Sequence, residues 1–451
     1  MIIKEKILDQ IFYIDTRNSA FEVNIDFLNY AKNLSDLDLI KYNLENYNPK
    51  FLSLCINLSD GCNLKCDYCF NSSKSGKSID LNIVEQFLNY MFEKHPNKEK
   101  YYVDLSGKGE PLLFLDKILK IKELCDNFSN KLNREVLVSF VCNGTLLSSE
   151  IANILQKRGI LFGVSLDGNE YIHDLHRKTI NGEKTYQKIL NNVKNIEHHE
   201  YVGAATTLTK DVFSLIDSVK ELGETFNTIS YKPARNCESA IDVNSIDLWL
   251  EEYNKLILFL LGQSIKGDNK YIFKLLNGDD YFGKFLKRTI LGQRVLIRCD
   301  GGLSRISLDN DGNLYSCPSA FTLEKFKVGR FNNLDINKQK ELLDIQNDRY
   351  QCALCSFKYI CGGECMIEKE LSKGVNAIMC KYKKHLILLA MYFTYKLLIN
   401  NKKSFDELVE FLKEVEARKK IDKNLIKFLN ENPHYSFVEG KKKYDIINKK
   451  Y

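Results

Sequence analysis

The residues with the greatest chemical reach are three cysteines in one short stretch, Cys62-Asn63-Leu64-Lys65-Cys66-Asp67-Tyr68-Cys69. A structural zinc site closes on four ligands. A cubane iron–sulfur cluster held by three cysteines instead keeps one iron free to bind something else. Two other readings are a Cys66/Cys69 redox dithiol with Cys62 idle, and a zinc loop completed elsewhere in the chain. A second set lies further on: Cys299, Cys317, Cys352, Cys355, Cys361, Cys365 and Cys380. Seven thiols cannot fill two four-cysteine sites, so one of the two is a ligand short. Two zinc sites are the alternative there, because Cys-x-x-Cys is common in them. Zinc transfers no electrons, whereas thiolate-bound clusters do.

The rest of the chain must position these thiols. At 451 residues it has room for two or three units with sizeable interiors. A composition 44% hydrophobic and 27% charged, with six prolines, is that of a globular protein without long disordered linkers. The net charge of +6 is modest and dispersed, so no nucleic-acid partner is expected, and Lys441-Lys442-Lys443 with Lys449-Lys450 reads as a solvated tail. Met1-Ile2-Ile3-Lys4-Glu5-Lys6 has no cleavage pattern. The most apolar stretch, Leu386 to Ile399, carries Tyr392, Thr394, Tyr395 and Lys396. It falls short of the roughly 18–20 residues that span a bilayer. A cytoplasmic protein without a membrane partner is expected, and cytoplasmic cysteines are ligands more often than disulfides. Cys55, Cys125 and Cys142 read as buried packing, and Cys237, at a strand end, is assigned no catalytic role.

From about 50 to 240, strand-like runs alternate with helical patterns, the signature of βα units and a parallel sheet. Strands are predicted at Leu52–Leu58, Tyr102–Leu105, Val136–Cys142, Leu161–Leu166, Gly203–Leu208 and Thr228–Tyr231, with a helix opening at Ile79-Asp80. The fold class is α/β, an incomplete (β/α)6 TIM-like barrel. Residues 1–49 form an N-terminal extension, either a truncated docking element or packing on the barrel. Residues 241–290 form a helical connector with Trp249, Leu250, Tyr253, Leu256, Ile257 and Phe259 as apolar positions. Residues 291–385 form a small α+β cysteine-rich unit, in which Ile306 to Cys317 is a hairpin returning Cys317 toward Cys299. Residues 386–451 are helical, and Ser404-Phe405-Asp406-Glu407 is a capping-box match before Leu408, Phe411 and Leu412.

The first cysteine triplet, with an aromatic Tyr68 before its last member, resembles the signature of the radical SAM enzymes. In that family the open iron chelates S-adenosylmethionine (SAM), and an electron from the reduced cluster releases a 5′-deoxyadenosyl radical. The strand ends carry the resemblance further. Ser106-Gly107-Lys108-Gly109-Glu110-Pro111 resembles the Gly-Gly-Glu-Pro loop that meets the SAM ammonium, with Lys108 in place of the first glycine. Asn143 matches a position near SAM. Ser165 and Arg177 match the residues that touch the ribose and hold the SAM carboxylate. The resemblance therefore implies cofactor contacts at Tyr68, Gly109, Glu110, Asn143, Ser165 and Arg177, and implies no particular general base.

The later seven cysteines resemble the SPASM extension of such enzymes. The family's interleaved pairing implies one cluster on Cys352, Cys355, Cys361 and Cys380. It implies another on Cys299, Cys317 and Cys365, with an iron that is open or bound by a non-cysteine group or by substrate. SAM and three 4Fe-4S clusters are thus the expected cofactors. A precursor peptide or protein is the expected substrate, with a low-potential donor such as a flavodoxin or ferredoxin. The implied function is a radical SAM peptide maturase that abstracts hydrogen and forms a thioether or carbon–carbon crosslink, sensitive to oxygen. The alternative is an anaerobic sulfatase-maturating enzyme forming formylglycine. Two departures count against it: Arg305 lies where a further cysteine is expected before Cys317, and Pro318 replaces an aspartate after it. A reading of another class is a non-catalytic iron–sulfur or zinc protein. His173 and His176 are read as exposed or core histidines.

Overall fold

The computed structural model describes residues 2–17, 19–23, 49–71, 75–278, 280–347, 352 and 355–417. The basic tail, the end of the C-terminal extension and residues 24–48 of the N-terminal extension lie outside them. Strands β1 (Ile2–Ile7), β2 (Gln10–Asp15) and β3 (Phe21–Glu22) form a small antiparallel sheet. Phe12 meets Tyr395 edge-on at 6.1 Å, and Lys396 pairs with Asp9 at 2.8 Å, so the sheet packs on the C-terminal helix Ala377–Asn400.

Strands β4 (Phe51–Ile56), β5 (Lys100–Asp104), β6 (Val136–Cys142), β7 (Ile160–Ser165), β8 (Gly203–Leu208) and β9 (Thr228–Pro233) pair in parallel in chain order. All six coincide with the expected strands to within about two residues at either end. Helices between them cover the sheet, as parallel pairing requires. Leu81–Lys94 shows why they form: the Asp80 side chain accepts the Asn82 N–H, and Val84, Phe87, Leu88, Met91 and Phe92 make one buried stripe. β9 ends the sheet, so the barrel is incomplete and its mouth lies at the C-terminal strand ends.

The hairpin β10 (Arg305–Leu308) and β11 (Asn313–Tyr315) forms where expected, turning on Asp309, whose Oδ1 accepts the Asp311 and Asn313 N–H groups at 2.9 and 2.8 Å. Its place is new. β10 pairs in parallel with β4, and β11, β12 (Lys327–Arg330) and β13 (Asn333–Leu334) extend the barrel sheet to ten strands. The later cysteines are thereby built onto the strand that feeds the first cysteine loop.

Helix Ile246–Ile265 buries Trp249, Leu250, Tyr253, Leu256 and Ile257 as its periodicity predicts, with Phe259 half-buried against Tyr271. The last helix departs from the expected start. It runs Lys402–Ala417, and Asn401, not Ser404, is its cap: Asn401 Oδ1 accepts the Ser404 N–H at 3.1 Å. Ser404 instead sits inside the first turn, donating from Oγ to Asn269 Oδ1 at 3.1 Å, while Leu408 and Leu412 are buried as expected. Asn401→Ala is expected to cost about 1 kcal/mol in urea unfolding. An unchanged midpoint would show the cap to be idle.

Among the described residues no helix is long and apolar enough to cross a membrane. None of the cysteines is in a disulfide.

Candidate active site at the barrel mouth

The first cysteine loop follows β4 and lies across the barrel mouth, held at both ends by backbone. The Lys65 N–H donates to the Lys178 carbonyl at 2.8 Å, the Asp67 N–H to the His176 carbonyl at 3.2 Å, and the Ile180 N–H to the Asn63 carbonyl at 3.3 Å. Cys62, Cys66 and Cys69 converge. Burial, countered by the Arg177 charge, pushes the Cys66 thiol up to about 11, and the neighbouring Cys69 and Cys62 add to that rise. Such thiols stay protonated unless an electrophilic metal or cluster takes them as thiolates.

The acidic strand-end loop is shaped by two glycines. Gly109 has φ +71°, and a Cβ there would fall 2.4 Å from the Gly61 carbonyl oxygen, so only glycine lets this loop pass against the cysteine loop. At Gly107 a Cβ would come within 2.5 Å of Asn57 Oδ1. Lys108, despite replacing a glycine, is accommodated: its N–H donates to Asn57 Oδ1 and its ammonium lies 5.6 Å from the Phe321 ring centre.

Glu110 is 2% exposed and accepts the Asn143 N–H at 2.7 Å and the Leu112 N–H at 3.1 Å. Burial outweighs those bonds and the Arg177 charge and pushes its carboxyl up to about 7. The folded chain therefore binds this proton more tightly than the unfolded chain, where the ordinary value is 4.5. The sign follows: the contribution is intact below 4.5 and is lost as pH rises through about 7. At about 1.4 kcal/mol per pKa unit, the loss is at most about 3 kcal/mol. Urea-unfolding stability of the ligand-free protein, compared with Glu110→Gln between pH 4.5 and 7.5, is expected to show this slope only in the unsubstituted chain. Parallel profiles would refute it.

Asn143 reaches the cysteine loop directly, donating from Nδ2 to Asn63 Oδ1 at 2.7 Å, while Asn63 Nδ2 donates to Thr145 Oγ1 at 2.8 Å. Ser165 is half-buried at the end of β7.

Arg177 is buried. Its Nε donates to Asp167 Oδ2 at 2.8 Å, its Nη1 lies 3.9 Å from Cys66 Sγ, and its guanidinium stacks 5.2 Å from the Tyr68 ring centre. The Tyr68 hydroxyl donates to the same Asp167 carboxylate. Burial alone would raise the Asp167 carboxyl, but Arg177, His173 and the Thr207 N–H hold it below the ordinary carboxylate value. Tyr68, Asp167, Arg177 and Cys66 are thus one network. Asp167 was not singled out in the sequence, although it sits in the strand-end segment that contains Ser165 and Arg177.

The two histidines are core residues that also serve the site. His173 is fully buried: Asp167 donates its N–H to Nδ1 at 3.2 Å, and Nε2 bonds Thr185 Oγ1 at 2.9 Å. His176 bonds Asp67, between Cys66 and Cys69. The signal was present in the closely spaced His173, His176 and Arg177, but solvent-facing and site-facing histidines look alike in one sequence.

The later thiols sort into two neighbourhoods. Burial pushes Cys352 up to about 11, and the nearby Cys355, Cys361 and Cys380 raise it further. Burial likewise pushes Cys317 up to about 12, with Cys365 and Cys299 beside it. Arg305 is not part of the three-thiol group; it is exposed, with its guanidinium 5.3 Å from the Phe51 ring centre. Half-buried Arg298, beside Cys361 and Cys365, supplies positive charge between the two groups. Ser19 Oγ donates to the Ser356 carbonyl at 2.6 Å, so the N-terminal sheet braces the loop between Cys355 and Cys361. Cys55, Cys125 and Cys142 are buried, as expected of packing residues. Among the described residues no three His, Cys, Asp or Glu side chains close tightly enough for a single metal ion. Convergent, mostly half-buried thiols with cationic neighbours fit a polynuclear cluster, whose several irons hold their ligands further apart than one ion does.

Residues 56–209 match the Radical SAM superfamily. Over 346 residues the chain is 25% identical to a cysteine-type anaerobic sulfatase-maturating enzyme of Clostridium perfringens, covering 70% of this chain and 88% of that one. Over 325 residues it is 22% identical to the serine-type enzyme of Klebsiella aerogenes, covering 68% and 78%. The solved structure of native anSMEcpe with bound AdoMet shares the fold at a TM-score of 0.64 and 21% identity, over 78% of this chain and 99% of that one. That family implies SAM and a 4Fe-4S cluster as cofactors, and the chain carries a radical SAM domain over residues 56–209 and is related to the anaerobic sulfatase-maturating enzymes.

Proposed function

We propose that this enzyme acts on a ribosomally made peptide or protein, abstracting a hydrogen and forming a thioether or carbon–carbon crosslink. Cys62, Cys66 and Cys69 would hold the SAM-binding cluster, with Tyr68, Gly109, Glu110, Asn143, Ser165 and Arg177 around SAM; bound there, SAM and cluster supply the 5′-deoxyadenosyl radical. The chain's own residues do the placing. Glu110, buried and oriented by two backbone N–H groups, offers an acceptor to an ammonium. The Asp167–Arg177 pair keeps a cation against Cys66. Two auxiliary clusters are proposed, one on Cys352, Cys355, Cys361 and Cys380 and the other on Cys299, Cys317 and Cys365. A flavodoxin- or ferredoxin-like donor and a cytoplasmic setting complete the reading.

The observation that carries the crosslinking reading over formylglycine formation is the three-thiol neighbourhood, with Arg305 turned outward and Pro318 directly after Cys317. Formylglycine formation is the second reading, favoured by the sulfatase-maturating relatives. The test is anaerobic turnover with dithionite and SAM on two substrates, a cysteine-containing precursor-type peptide and a sulfatase-derived peptide. Loss of two hydrogens together with a free thiol, and no hydrazide-reactive aldehyde, supports a thioether. An aldehyde on the sulfatase peptide supports the second reading and overturns the first.

A further inference from the structure

His176 has no role in the reading above, yet both of its ring nitrogens are engaged at the barrel mouth. Its side chain is 3% exposed. Nδ1 lies 2.8 Å from Asp67 Oδ2, and Nε2 lies 3.2 Å from Asp211 Oδ2 and 3.1 Å from Thr209 Oγ1. Asp67 is the residue directly after Cys66, in the stretch leading to Cys69, whereas Thr209 and Asp211 follow β8. Asp67 Oδ2 also accepts from Ser239 Oγ at 3.0 Å, beyond β9, and the Lys210 N–H donates to the Ser239 carbonyl at 2.9 Å. One carboxylate between two cluster thiols is therefore tied to the ends of the two strands on the open side of the barrel.

We propose that His176 is a positioning residue for the first cysteine loop: its ring locks Asp67 to the β8 and β9 ends, so that the barrel, not the loop, sets the spacing of Cys66 and Cys69. The proposal rests on the reading that these thiols hold the SAM-binding cluster. Asp67 and Asp211 each present a carboxylate, which only accepts hydrogen bonds, to one of the two ring nitrogens. That fixes the ring plane, and the Trp249 indole fixes its far partner by donating from Nε1 to the Thr209 carbonyl at 2.7 Å. The next residue, Arg177, holds Cys66 and Tyr68 from the other side. The two neighbours grip the whole span from Cys66 to Tyr68. Side chains that orient ligands typically change metal affinity 10–100-fold when removed.

The test uses the full chain, reconstituted anaerobically, as His176→Phe, His176→Asn and Asp67→Ala. The readout is the part of the reduced-cluster EPR signal that shifts on adding SAM, which reports the first loop alone, and the rate at which a chelator abolishes it. His176→Phe and Asp67→Ala are expected to lose that signal about tenfold faster than the unsubstituted chain, with the SAM-insensitive signal unaffected. His176→Asn, which retains a donor near the Nδ1 position, should recover much of the loss. A wild-type rate in either His176→Phe or Asp67→Ala overturns the proposal. The Asp67 side chain is 48% exposed, so Asp67→Ala decides the matter even where His176→Phe fails to fold, and a wild-type rate there overturns it alone. Absence of any SAM-responsive signal in the unsubstituted chain would overturn the underlying reading and this proposal with it.

Discussion

Replacing Cys66 with alanine is expected to abolish SAM cleavage, with no 5′-deoxyadenosine formed under dithionite, while roughly eight of roughly twelve irons per chain remain. The size of the effect follows from the ligand count. Three thiolates are the minimum for a cubane with one open iron, and the thiol lost is the one Arg177 faces at 3.9 Å. The later thiols are gathered on other elements: Cys361 closes the short helix Lys358–Cys361, Cys365 precedes Met366–Leu371, and Cys380 lies in the first turn of Ala377–Asn400. Those elements pack without help from the first loop, so their irons should survive. Iron and sulfide analysis with Mössbauer spectra checks both halves. Retained cleavage would contradict the assignment of the first loop, and loss of all iron would show that the sites fold as one.

Arg177→Met is expected to destabilise the protein by about 3–5 kcal/mol, because it strands the Asp167 carboxylate in the interior. Asp167 is fully buried, and its charge is offset chiefly by Arg177. Its remaining partners are the Thr207 N–H, at 2.7 Å, and the Tyr68 hydroxyl. The pH dependence has a defined sign. Asp167 is held below its ordinary 3.8 in the folded chain, so its contribution is present above 3.8 and is lost as pH falls through the folded value. In Arg177→Met the stranded carboxyl takes a proton readily, so the gap between variant and unsubstituted chain should narrow as pH falls. Adding Asp167→Leu removes the uncompensated charge and should recover part of the loss, since a buried pair replaced whole costs less than one partner removed. Urea unfolding of the single and double variants from pH 4 to 8 decides it. A pH-independent gap would place the loss in packing, not in charge.

The positions of the six barrel strands and the two cysteine sets were legible because both are local. Alternating apolar runs such as Phe51–Ile56 define a strand whatever lies beside them, and three thiols within eight residues share one loop whatever the fold. The helix cap at Asn401 lies three residues before the Ser404 cap that the sequence suggests, because both are good caps and only packing shows that Ser404 is occupied with Asn269. The destination of the hairpin was not legible either. Which edge β10 joins depends on the parallel partner β4, some 250 residues earlier, and nothing in Ile306 to Leu308 encodes it.

The same division runs through the site. Sequence alone placed the cysteines, with their spacing, and Glu110, Asn143, Ser165 and Arg177 in or beside strand-end loops, because covalent neighbourhood dictates which groups share a loop. Tertiary structure alone decided what those groups face. Asp67, His176, Asp211 and Ser239 come from four separate strand ends, and Asp167 sits between Arg177 and Tyr68 across a gap of 99 residues. Such contacts form only when a curved parallel sheet brings successive strand ends to one rim, where burial makes each unpaired charge too costly to leave alone.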